Sequence, residues 1–274
     1  MTQTITGLSP KEAEFLVTLA AQNKSIFTSR QAQKFWGSDD RTNEALRRLE
    51  RGGWLHRLER GKYLIVPLEA GVERRWSESA LVIAPHLIQP AAIAYWSALH
   101  YWQLTEQIPR TVFVQSTTRK RQSEKKILGI TFRFITVVQT KFFGVVRKTI
   151  EGQPFYVTDC EKTLVDAADR PELSGGAIQL AQSLQAAQEI NWQRLTDYLL
   201  RWPATSPLKR LGYLVETLDL PIPNRSETLD QWQRAIAPGV VKLEPGHSEK
   251  AGSIVTRWQL RTNVTGPWVS RRGS

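Results

Sequence analysis

Arg41, Thr42, Asn43 and Arg47 are the residues of this 274-residue chain best suited to reading a hydrogen-bonding surface. They lie in "DRTNEALRRLER", a segment whose apolar positions have helical spacing. Arginine can donate two bonds to guanine, and asparagine can both donate to and accept from adenine, in the major groove of B-DNA. Arg48 lies on the same segment, within reach of phosphate. Arg57, Arg60 and Lys62 follow in "RLERGKYLIV" and add positive charge around a tight turn.

A second group of cations is denser. Residues 110–150 hold ten basic side chains against one acidic, a net +9. It comprises Arg119, Lys120, Arg121, Lys125, Lys126, Arg133, Lys141, Arg147 and Lys148, with Arg110 at its margin. Such a run can neutralise phosphates and steepen the salt dependence of nucleic-acid binding. It can also hold an acidic protein surface or act as a solubilising loop.

Residues that imitate catalytic sets are poorly spaced. Asp159, Glu161 and Lys162 resemble the carboxylates and lysine of a metal-dependent nuclease. Adjacent residues on a helix point apart, however, whereas such groups must converge on one metal. Glu124-x-Lys126 has better spacing but lacks an aspartate on a preceding strand. Cys160 reads as a small buried thiol rather than a nucleophile. The expectation is no catalytic residue, no metal and no cofactor.

The elements that would carry these residues follow from local signals. "LSPKEAEFLVTLAAQN" starts a helix with a capping box, Ser9 to Glu12, and Pro10 at the first helical position. Thr28 caps a second helix, "SRQAQKFW", which Gly37 ends. Ser38 or Asp39 caps a third, with Ala45, Leu46 and Leu49 inward and Gly52-Gly53 at its end. "WLHRL" and "KYLIV" then form a hairpin around Glu59-Arg60-Gly61. Three helices and a hairpin in this order predict a winged helix-turn-helix. Its third helix would enter the major groove, with the wing near the backbone or minor groove.

The remainder reads as a larger α/β body. "EAGVERRWSES" is expected to connect the two. Pro90 should start a helix carrying Ala92, Tyr95, Trp96, Leu99 and Trp102 on one face. Strands are expected over about 111–157, with "TTRKRQSEKK" as a flexible basic loop. Helices should occupy about 159–220, and two closing strands about 239–263. The expected fold class is α/β (α+β), divided into a winged helix-turn-helix at 1–70 and a C-terminal domain at 71–274.

A formal charge of +11 favours a polyanionic or acidic partner. A single cysteine excludes a disulfide framework. No apolar run reaches membrane-spanning length, and the N-terminus lacks a basic-then-apolar signal pattern. A soluble, cytoplasmic protein without a membrane partner is expected.

The order "LERGKYLIV", "YWSALHYWQLTEQIPRTVFV", "TDCEKTLVDAADRPELSGG" and a closing W-x-L-x-x-N (Trp258, Leu260, Asn263) resembles the antitoxins of AbiE-type, type IV toxin–antitoxin systems. The resemblance runs along nearly the whole chain. It implies an N-terminal winged helix that binds operator inverted repeats and represses transcription. It also implies a C-terminal domain that counters a nucleotidyltransferase toxin without a stable complex. Carried over, Arg41, Thr42, Asn43 and Arg47 would read the operator, and Arg57, Arg60 and Lys62 would lie on the wing. The basic segment would form a positive face of the C-terminal domain. Two other readings stand beside it: a regulator whose large domain binds a small ligand, and a metal-dependent nuclease.

Overall fold

In the computed structural model, residues 7–66, 80–150, 152–246 and 252–266 are described. Helix α1 (Pro10–Ala21) begins at the expected capping box, with the Ser9 backbone N–H donating to Glu12 at 2.8 Å. Strand β1 (Ile26–Thr28) leads into α2 (Ser29–Trp36), capped by Thr28 through a second box with Gln31. Gly37 then takes φ 85, the left-handed conformation that ends a helix without Cβ strain. Helix α3 (Asp39–Arg51) follows, then β2 (Leu55–Glu59) and β3 (Lys62–Ile65). These strands form an antiparallel sheet in the order β1-β3-β2. Phe15, Phe27, Trp36, Leu46, Leu49, Leu55 and Tyr63 fill the core between helices and sheet. This is the winged-helix arrangement.

The hairpin is buried on both sides. Leu58 and Leu64, both 0% exposed, join a second core with α4 (Ala80–Leu87) and the inner face of a six-stranded sheet. Residues 67–79, which contain the anticipated connection and domain boundary, lie outside the described residues.

The large sheet contains β4 (Ala92–Ile93), β5 (Thr111–Ser116), β6 (Glu124–Ile127), β7 (Ile130–Thr136), β8 (Val145–Ile150) and β9 (Gln153–Thr158). Their order is β6-β7-β5-β4-β9-β8, with β5/β7 and β4/β9 parallel and the other pairs antiparallel. Helix α5 (Tyr95–Tyr101) and α6 (Cys160–Asp169) join the sheet to α7 (Gly176–Ala186), α8 (Trp192–Arg201), α9 (Ser206–Thr217) and α10 (Arg225–Ala235). A small sheet of β10 (Val241–Lys242), β11 (Ile254–Val255) and β12 (Leu260–Arg261) closes the chain in the order β10-β12-β11.

Four expectations are corrected. Pro90 does not start a helix: Ala92-Ile93 fills the central gap between β5 and β9, and the helix begins at Tyr95. Sheet pairing overrides the helical preference of an alanine-rich stretch. The loop after Ser116 is shorter than expected, because Glu124–Ile127 pairs with β7. The helices continue past 220 into α10, and the closing segment forms three strands rather than two. The W-x-L-x-x-N pattern is structural: Trp258 and Leu260 are fully buried, and Asn263 exchanges two hydrogen bonds with the Glu244 backbone.

Candidate nucleic-acid interface

The exposed side of α3 presents Arg41, Asn43 and Arg47. Thr42 departs from the expectation. It is 2% exposed, and its hydroxyl donates to the Ser38 carbonyl at 2.6 Å. Three and four residues before Ala45 and Leu46, it belongs to the apolar stripe and cannot reach a base. The face also carries acid. Asp39 and Asp40 occupy the first turn, where they complement the helix dipole, and Glu44 stands between Asn43 and Arg47. Like-charge repulsion from these three disfavours indiscriminate attachment to phosphate.

Arg48 is held from behind. Its Nε donates to Glu12 Oε1 at 2.5 Å, while Glu44 lies 3.6 Å from its Nη1. Arg48 remains half exposed, so phosphate contact would compete with this pair. Burial works to raise the Glu12 carboxyl, but Arg48 and the Ser9 backbone and hydroxyl outweigh it and hold the group below its ordinary 4.5. A depressed carboxyl stabilises the fold above its unfolded-state value and loses that contribution as pH falls. Glu12→Gln is expected to lower the unfolding free energy at pH 7 by about 1–2 kcal/mol. The difference from wild type should shrink as pH falls from neutral towards 3, which urea melts across that range will read.

The wing is short. Its turn at Arg60-Gly61 packs against the start of α2, where the Ser29 backbone N–H donates to the Gly61 carbonyl at 2.8 Å. Arg57 and Arg60 are exposed. Lys62 is not an outward wing residue: its Nζ donates to the His86 carbonyl of α4 at 2.9 Å. Burial, with Lys62 nearby, lowers the basicity of the His86 imidazole.

The basic run of 110–150 does not form one patch. Strands β6 and β8 are opposite edges of the six-stranded sheet, which separates Lys125 and Lys126 from Arg147 and Lys148 by about 24 Å at ordinary strand spacing. Several of its cations are engaged internally. Lys120 pairs with Glu59 at 2.5 Å and also donates to the Leu87 carbonyl. Lys125 donates to the Leu58 carbonyl. Lys141 pairs with Asp169 at 2.6 Å and lies over the Trp202 ring. Lys148 covers Trp102 at 5.3 Å, and Arg133 lies 3.6 Å from Glu124. Arg119, Arg121, Lys126 and Arg147 remain exposed.

The residues that imitate catalysis serve packing. Asp159 caps α6, accepting from the Lys162 backbone N–H at 2.8 Å and from the Tyr198 hydroxyl at 2.8 Å. Glu161 turns the other way, to the Asn191 backbone N–H and Arg194. Lys162 is fully buried against Asp166, with its Nζ 4.6 Å from the Trp202 ring centre. The Cys160 thiol is pushed up to about 12 by burial and by the Glu161 and Asp159 carboxylates, so it is not an activated nucleophile. Among the described residues no three His, Cys, Asp or Glu side chains are grouped to hold a metal.

Against this geometry, the comparisons bear first on the N-terminal module. Its residues 14–66 match a family described as "Transcriptional regulator, AbiEi antitoxin". The similarity is confined to this module. The match begins within α1 and ends with β3, so it spans α2, α3 and the wing. No curated protein sequence matches the chain. The fold is similar to the crystal structure of the RV2827C protein from Mycobacterium tuberculosis, with TM-score 0.66, 19% identity, and coverage of 94% of this chain and 93% of that one. A winged-helix module joined to a larger α/β body is therefore an architecture already seen in a solved structure. Among the described residues no helix is long and apolar enough to cross a membrane.

Proposed function

We propose that this protein is the antitoxin of a type IV toxin–antitoxin pair and the autorepressor of its own operon. It binds duplex DNA at operator inverted repeats through residues 1–70, and residues 71–274 oppose a nucleotidyltransferase toxin without a stable complex. It works in the cytoplasm and needs no cofactor or chemistry of its own. The observation that carries this reading is an AbiEi-type module with Arg41, Asn43 and Arg47 exposed on its third helix. Repression follows from occupancy: cations hold phosphate oxygens while base-edge contacts choose the site.

Arg47→Ala is expected to weaken binding to the protein's upstream region by about 1–3 kcal/mol, if Arg47 donates to a base. Binding to shuffled duplex should change little. An equal loss on both duplexes would make Arg47 a phosphate contact. Antitoxicity is tested by co-expressing the full chain with the neighbouring nucleotidyltransferase gene and measuring growth. Rescue supports the reading, and continued arrest counts against it.

A further inference from the structure

Strand β8 is one edge of the six-stranded sheet, and the opposite edge, β6, is the one that meets the wing. Gly144, just before β8, accepts from the Asp159 backbone N–H at 2.7 Å. That bond fixes the phase of the antiparallel ladder, in which hydrogen-bonded and non-hydrogen-bonded pairs alternate. Val146, Lys148 and Ile150 therefore bond to β9, while the N–H and C=O groups of Val145, Arg147 and Thr149 point away from it. Pro154, which has no N–H to give, sits opposite Thr149 in agreement with that phase. Among the described residues nothing bonds to the outward backbone groups.

The strand lacks the bulge or proline that usually blunts an exposed edge, and its register with β9 is unbroken from Val145 to Ile150. Its inner face is anchored. Val146 and Ile150 pack into the core under the sheet, and Lys148 covers Trp102 at 5.3 Å. Its outer face carries Arg147 and Thr149, both exposed, beside Tyr156, which is 40% exposed. Arg147 forms no ion pair among the described residues. A second copy of this chain fits that edge poorly. Two-fold pairing that uses every outward residue sets each Arg147 against its own counterpart, and like charges directly opposite each other are destabilising. A strand with a carboxylate at that position turns the repulsion into attraction.

We infer that the β8 edge is a docking strand for an extended acidic segment of a partner protein, which adds to the sheet with a carboxylate facing Arg147. The outward N–H and C=O groups supply affinity, while Arg147 sets the sign of charge accepted and Tyr156 offers apolar contact. A contact confined to one short strand is small, in the size class of transient encounters. It is therefore compatible with the absence of a stable complex proposed above. It does not rest on the DNA-binding reading, because the wing lies at the far edge of the sheet.

The test is fluorescence anisotropy of the full chain with labelled peptides. The first alternates threonine and valine around a central glutamate, and the second has lysine in its place. The third is the glutamate peptide N-methylated at every residue, which keeps its charge and loses its backbone donors. The glutamate peptide should bind about tenfold more tightly than the lysine peptide and at least about tenfold more tightly than the methylated one. Arg147→Glu should invert the preference between glutamate and lysine. Thr149→Pro removes an outward donor without touching a bond to β9, so it should weaken the glutamate peptide about tenfold while thermal melting shows the fold intact. Equal binding of the methylated and unmethylated glutamate peptides overturns the inference, because it leaves only general attraction to a cationic chain. A preference unmoved by Arg147→Glu, or no binding of the glutamate peptide, overturns it too. A wild-type dimer in sedimentation that Thr149→Pro dissociates would give the edge to a second copy, with the same consequence. None of these outcomes bears on binding to the upstream duplex.

Discussion

Gly212→Ala is expected to destabilise the protein by about 3–5 kcal/mol, the range for losing a large aromatic from a core. At an ordinary helix position the same substitution would stabilise, by about 1 kcal/mol, because alanine has the higher helix propensity. Here the sign reverses. A Cβ on Gly212 of α9 would lie 2.2 Å from Cζ3 of Trp258, well inside any tolerable contact. Trp258 is fully buried and its indole N–H donates to Glu216 at 2.7 Å. It cannot slide away without releasing the closing strands that flank it. Urea or thermal unfolding reads the loss. A stabilised Gly212→Ala variant would mean that Trp258 does not pack on α9.

The second large effect is at the buried pair of α6. Lys162 and Asp166 are 0% and 1% exposed, one helical turn apart and hydrogen-bonded to each other. Burial drives the Asp166 carboxyl up and the Lys162 amine down; each partner works against that for the other. Removing one partner strands the other charge in the core, so Asp166→Ala should cost about 3–5 kcal/mol. Replacing both, as Lys162→Met/Asp166→Leu, should recover most of the loss, because a well-packed apolar pair avoids the desolvation penalty. Chemical denaturation of the three proteins makes the comparison. A double variant no better than the single would show that the charges do more than satisfy each other. A nearly neutral Asp166→Ala would contradict the burial itself.

These residues belong to "EKTLVD", one of the segments behind the resemblance to AbiE-type antitoxins. Its Lys and Asp are spaced one helical turn apart, and this spacing can be read from sequence. Their burial cannot, since it depends on Phe143 and Trp202 closing over them from distant segments. The N-terminal module was legible because its signals are local: two capping boxes, Gly37, the Gly52-Gly53 stop and a two-residue turn. Thr42 was legible too, because its phase relative to Ala45 and Leu46 puts it inside; grouping it with its exposed neighbours ignored that phase. Helix α10 also had local signals, Asn224 before it and Glu227 in its first turn.

The body was harder for a non-local reason. Ala92-Ile93 is a strand only because β5 and β9 leave a gap for it. Lys120 and Lys125 look like solvated loop lysines until the wing strand, some sixty residues earlier in the chain, supplies Glu59 and the turned-out Leu58 carbonyl. A run of charge that is continuous in sequence is divided by sheet order, and only part of it reaches the wing.

The proposed recognition of specific duplex DNA through α3 is measured most directly by equilibrium binding of the full-length protein to its own upstream region against a shuffled duplex of equal length. The upstream duplex should be preferred by about 10³-fold or more at physiological salt, and Arg47→Ala should cut that preference by about 5–150-fold. Equal affinity for the two duplexes, or no binding to either at low salt, would contradict it.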